Sequence, residues 1–200
     1  MSGPSSPGAT SPVHANTVQL LSSGRVLVCD GAMGTMLHAA GAALDRSLPE
    51  LNLSDPGLVA TIHDSYLTAG VDIIQANTFG ANRLWLADHG FPDKVAEINR
   101  AGARLARAAA ERSGRNVLVA GSVSPAVTAP QRRRVGSAER MEVLREQILA
   151  LVADDAADLL ILETFGYLDE LVEAVTVAAS VTSLPLIAQA TFAEDRKSVV

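Results

Sequence analysis

The sequence predicts an α/β protein built on a parallel sheet, and three observations carry that expectation. Short apolar runs rich in branched residues alternate with longer stretches of helical periodicity, the pattern of repeated βαβ units. The short runs are almost uninterruptedly apolar, as strands covered on both faces must be. Each run ends in a segment rich in Gly, polar or aromatic residues, and parallel strands would bring all these segments to one edge. A barrel and an open doubly wound sheet both satisfy this alternation.

Residues 1–18 are rich in Ser, Pro, Gly, Ala and Thr and lack the positive start and apolar block of a secretory signal, so they are expected to be a disordered lead-in. Strands are expected at 26–30, 72–77, 117–122, 158–163 and 185–191. Ser54, Asp55 and Pro56 open a helix that runs through 58–69 and stops at Gly70, the usual order of polar cap, early proline and terminal glycine. A second helix is expected over 93–112, with Val95, Ile98, Leu105 and Ala109 on one face. A third begins at Ser137, whose hydroxyl is placed to cap the first turn, and turns Met141, Leu144, Ile148, Leu151 and Val152 inward. A fourth occupies 168–181.

Composition excludes several classes of function. Two hundred residues with 48% hydrophobic content can bury a sizeable core, while a formal charge of −6 offers no basic surface to nucleic acid or an anionic membrane. The Arg132-Arg133-Arg134 run is too short to change that and is expected to be solvated loop. Apolar stretches such as 159–162 and 172–179 fall far below the roughly 20 residues that span a bilayer, so a soluble cytoplasmic protein is expected. Cys29, the single cysteine, forms no internal disulfide and builds no thiolate metal site by itself. Alternation turns it away from Asp30, and it is expected to be a small buried hydrophobe. His63 and His89 are expected to be structural or solvated.

Four segments in order resemble the homocysteine S-methyltransferase family: VLVCDGAMGTML (26–37), ELNLSDPGLVATIHDSYLTAGVDIIQANTFGAN (50–82), VAGSVSP (119–125) and ADLLILETF (157–165). Through these segments the resemblance runs along almost the whole of 26–192. With HGFPDKVAEINRAGARLAR (89–107), they look most similar to the methyltransferase half of bifunctional proteins carrying a methylenetetrahydrofolate reductase half, and also to the N-terminal module of cobalamin-dependent methionine synthases. The resemblance implies an eight-stranded (β/α) barrel, of which this chain would hold about five βα units as a partial TIM barrel. It implies methyl transfer from a donor to the zinc-activated thiolate of homocysteine, forming methionine, and a downstream reductase or other domain as partner. The zinc ligands implied are cysteines after the sixth strand and after the eighth. This chain has no cysteine beyond Cys29, so the zinc site is expected downstream of it.

Under that resemblance, Asp30 and Glu163, at the ends of the first and fourth expected strands, are expected to hold the substrate's ammonium group together. Gly31 and Ala32 are expected to offer backbone N–H groups to its carboxylate in a tight turn closed by Gly34. Asn77 and Thr78 are expected to hydrogen-bond substrate or orient Glu163, with Ser122 and Thr164 as further candidates of the same kind. Phe79 and Phe165 stand where they can wall the site or simply pack.

The family-like barrel portion is expected over 19–194. Residues 195–200, Asp-Arg-Lys-Ser-Val-Val, do not continue the pattern and match the translation of a common sequencing-adapter sequence, so a non-native tail and a truncated, inactive chain are expected. Five strands would leave the barrel unclosed, with aggregation or a molten state as the consequence. Two other functions are weighed: a non-catalytic amino-acid-binding fragment, and a metal-independent barrel lyase. The lyase calls for a lysine on a strand, whereas Lys94 falls in an expected helix and Lys197 in the tail.

Overall fold

A computed structural model describes residues 12–192, so the expectations for 1–11 and for the 195–200 tail lie outside the described residues. Helix α1 (Pro12–Leu21) comes first, followed by α2 (Met33–Ala39), α3 (Leu51–Ser54) and α4 (Pro56–Ala69). Strand β1 (Ile73–Gln75), helices α5 (Arg83–Ala87) and α6 (Val95–Arg112), and strand β2 (Leu118–Val123) come next. The order ends with α7 (Ser137–Val152), β3 (Leu159–Phe165), α8 (Leu168–Val181) and β4 (Leu186–Ala190).

The strands pair in parallel and strictly in chain order, β1-β2-β3-β4. A doubly wound sheet reverses its strand order and covers both faces with helices. Here the helices between and after the strands share one face: Ile74 and Val119 pack with α4 and α6, and Leu160, Leu162 and Phe165 pack with α7 and α8. The other face gathers Ile73, Leu118, Ala120, Leu159 and Ile161 against Leu20 and Leu21 of α1. The sheet is therefore wound in one direction, as a partial barrel with an inner face.

Two aspartates pin the register at strand starts. Asp72 Oδ2 accepts from the Val28 N–H at 3.1 Å and Asp158 Oδ2 from the Val119 N–H at 2.7 Å, each tying one strand to its predecessor. Arg25 and Arg107 pair with these carboxylates in turn.

Several expectations are corrected. The strand expected at 26–30 is reduced to one parallel bridge, Cys29 with Ile73, flanked by the bond from the Asp30 N–H to the Ile73 carbonyl. The segment has a neighbour on one side only, and its outer residue Val26 is 83% exposed. Cys29 is exposed rather than buried, on a segment that pairs on one side only. Residues 12–18, read as disordered, lie in α1, where the apolar pair Leu20-Leu21 gives the helix a surface to pack on. Ser137 does not cap α7. It is the first helical residue, Gly136 holds the cap position, and no side chain bonds there.

Helices α4 and α8 end where the sequence places them, and α6 starts after a short 3-10 turn at Pro92–Lys94. In α4 the cap is Asp55, whose Oδ1 accepts from the Leu58 N–H at 3.2 Å, and Gly70 closes the helix in the left-handed region. Replacing Asp55 with Ala leaves that N–H unpaired and is expected to lower stability by about 1 kcal/mol. Urea denaturation checks it: the midpoint should fall with the slope unchanged.

Candidate amino-acid-binding cleft

On the inner face, side chains alternate toward the rim. The series Ile73, Gln75 in β1, Leu118, Ala120, Ser122 in β2 and Leu159, Ile161, Glu163 in β3 each begin apolar and end polar. Their last members, together with Asp30, line a cleft of about 320 Å³ at the C-terminal rim. Gly31, Ala32, Met33, Gly34, Leu48, Ala76, Asn77 and Phe79 complete its wall.

Both carboxylates are held by neighbouring strands. The Gln75 backbone N–H donates to Asp30 Oδ2 at 2.9 Å, and Gln75 Nε2 donates to Oδ1 at 3.3 Å. Ser122 Oγ donates to Glu163 Oε1 at 2.5 Å. Burial raises the Asp30 pKa to about 6, the negative charge of Glu163 adds to the rise, and the hydrogen bonds from Gln75 oppose it.

Glu163 faces the cleft by strand alternation, and β3 turns irregular just beyond it. Leu162 pairs with Ala188 and Phe165 with Ala190, so β3 carries one extra residue there. Thr164 absorbs it at φ 64°, a left-handed conformation that a branched side chain adopts only under strain. The extra residue returns Phe165 to the helix-covered core, where it is fully buried. Phe165 thus packs and does not wall the site. Phe79 does line the cleft, with its ring edge-on to Trp85 at 5.7 Å.

The turn after Asp30 leads directly into α2. The backbone N–H groups of Gly31, Ala32, Met33 and Gly34 donate to no group among the described residues, leaving them available to an anion. A Cβ at Gly31 would lie 3.0 Å from the Tyr66 hydroxyl oxygen, so a larger residue there would press Tyr66 back by a few tenths of an ångström.

Of the residues expected from sequence, Asp30, Gly31, Ala32, Asn77 and Glu163 come together at the cleft. Thr78 does not: it is fully buried behind the rim, with its hydroxyl donating to the Ser122 carbonyl at 2.8 Å. The next residue along a strand end faces the opposite side, which is why Asn77 and Thr78 part. Gln75 was missed, although a polar residue on the inner face of an otherwise apolar strand is the signal that marks it. Among the described residues no group of three or more His, Cys, Asp or Glu is placed to hold a metal ion, so the residues present do not fit a zinc site.

A rim cleft on a one-way wound parallel sheet, lined by two acids and a turn of free N–H groups, is the architecture of a partial (β/α) barrel with its polar residues at the strand ends. The sequence pattern of homocysteine S-methyltransferases matches residues 27–200, and the chain belongs to that family. It is 36% identical over 151 residues to the methionine synthase of Mycobacterium tuberculosis, covering 71% of this chain and 13% of that protein. With the Mycobacterium leprae methionine synthase it shares 34% over 149 residues, covering 70% and 12%. Among solved structures, the metallated form of the Escherichia coli homocysteine methyltransferase MmuM superposes with a TM-score of 0.68 at 26% identity, and the oxidized form with 0.71 at 27%. These matches cover 84% and 88% of this chain and 64% of MmuM. The chain thus spans about an eighth of the curated methionine synthases it matches and under two thirds of MmuM.

The raised Asp30 pKa has a stability consequence of definite sign. The folded chain holds this proton more tightly than the unfolded chain, so the Asp30 contribution improves as pH falls from above 6 toward 4. Above pH 6 the buried charge costs roughly 2 to 3 kcal/mol. Asp30→Asn, which keeps an acceptor for the Gln75 N–H, is therefore expected to be more stable than the parent at pH 7.5, with the difference vanishing near pH 4. Chemical denaturation at both pH values measures it.

Proposed function

We propose that this chain supplies the amino-acid-binding part of a homocysteine S-methyltransferase, an enzyme that transfers a methyl group to the sulfur of homocysteine and forms methionine. The observation that carries the proposal is the charge of the cleft: Asp30 and Glu163 line it, with no Lys or Arg among the described lining residues. Such a site is matched to the ammonium group of an amino acid, while the N–H groups of residues 31–34 receive its carboxylate. Asn77 adds a further polar contact.

The roles of these residues are binding and orientation. Gln75 and Ser122 fix the two carboxylates before substrate arrives, so little rearrangement is needed to grip the ammonium. Binding of the cation favours the ionised form of Asp30 and releases the proton it holds near pH 6. With both ends of the amino acid fixed, its sulfur-bearing side chain has one direction left to extend. The family resemblance implies zinc as activator of that sulfur, with ligands from cysteines beyond this chain, and no step is assigned here to the metal. A cytoplasmic location and further domains carrying the methyl donor belong to the same proposal. They are supported by the length of the methionine synthases it matches and by the absence, among the described residues, of any helix long and apolar enough to cross a membrane.

Isothermal titration of the chain with L-homocysteine tests the proposal. Asp30→Asn and Glu163→Gln are each expected to weaken binding by at least about tenfold, the loss of a charge-assisted hydrogen bond. Affinity should also fall as pH drops below 6, where Asp30 takes up its proton. Unchanged affinity in both variants would remove the cleft as the binding site.

A further inference from the structure

A layer of buried carboxamides lies behind the cleft. Asn52 from α3, Asn99 from α6 and Gln147 from α7 are all buried, and each donates to the backbone of the loop that follows β1. Asn52 Nδ2 donates to the Asn77 main-chain carbonyl at 2.7 Å and to the Ile98 carbonyl at 3.2 Å. Its Oδ1 accepts from Asn77 Nδ2 at 3.1 Å. The other hydrogen of Asn77 Nδ2 goes to the Leu48 carbonyl at 2.9 Å.

Both amide hydrogens of Asn77 are thereby engaged by protein, and its Oδ1 is the one polar atom of the side chain with no partner among the described residues. That oxygen is not sealed from solvent, and the residue lines the cleft. A free asparagine could turn either end to a ligand; one held at both hydrogens offers only an acceptor. Helix α6 makes room for the arrangement with Gly102. A Cβ there would lie 2.6 Å from Asn52 Nδ2 and 2.8 Å from Thr78 Cγ2, too close for either to stay in place.

We propose that Asn52 is a positioning residue which, with Gly102 behind it, locks Asn77 as a hydrogen-bond acceptor on the cleft wall. The ligand selected is one that presents a donor there, the protonated amine of an amino acid, in preference to a keto acid of the same skeleton. This rests on the proposal that the cleft takes an amino acid, and it adds a residue that touches no substrate.

A double-mutant cycle on L-homocysteine binding, read by titration calorimetry on the whole chain, tests it. Asn77→Ala and Asn52→Ala are each expected to weaken binding by about tenfold. The double variant should bind no worse than Asn77→Ala alone, because Asn52 acts only through Asn77. Losses that multiply, or an Asn77→Ala variant that binds like the parent, would overturn the assignment. Hydrogen exchange of the Asn77 side-chain amide, followed by NMR without ligand, gives a second readout. It should be slow in the parent and at least about tenfold faster in Asn52→Ala, with backbone protection of β1 and α6 retained. Equal exchange in both would overturn the lock even if the chain bound no amino acid, whereas absence of homocysteine binding with the exchange difference intact would count against the proposed function alone.

Discussion

Register is the constraint on which the cleft depends. Side chains of a strand alternate between faces, so a slip of one residue would send Gln75, Ser122 and Glu163 into the helix-covered core and bring Ile74 or Leu162 to the inner face. Asp72 and Asp158 prevent this from the far end of the sheet by accepting the N–H of a residue in the preceding strand. A carboxylate bonded to a neighbouring backbone at a strand's start thus decides which residue meets a ligand at its end.

The rim itself shows the opposite economy, with local stability yielded where a ligand is to be held. Asp30 is half-buried with no cationic partner among the described residues, Thr164 sits in a strained backbone conformation, and four backbone N–H groups lack acceptors among those residues. Each is unfavourable in the free chain, and under the proposed function the Asp30 carboxylate and the free N–H groups are what the amino acid meets. The acids are not loose, however. The Gln75 N–H and the Ser122 hydroxyl fix them, and the carboxamide layer fixes the loop beside them, so the site is organised before it is filled.

Much of this was legible in the sequence because the signals were local. Asp55-Pro56 and Gly70 bound α4 through cap chemistry, and Leu168–Val181 shows its helical period without interruption. Asp30, Asn77 and Glu163 could be found as polar residues closing apolar strands. What escaped depended on contacts distant in sequence. Ser137 has the right type for a cap, yet whether it stands at the cap or inside the first turn depends on how the preceding loop arrives. Thr78 looks equivalent to Asn77 in sequence, but the turn of the chain sends its hydroxyl behind the rim. Cys29 belongs to a strand with a neighbour on one side only, a property of the sheet rather than of the residues around it. The bulge at Thr164 likewise exists only relative to β4.

The central claim is that the acidic cleft at the strand ends receives the amino-acid part of homocysteine. Backbone NMR of the chain titrated with L-homocysteine tests it most directly. Saturating shifts are expected at residues 30–34, 75–77, 122 and 163, the lining of one contiguous cleft. Shifts confined to the opposite end of the sheet, around Asp72 and Asp158, or none at saturating ligand, would contradict the account.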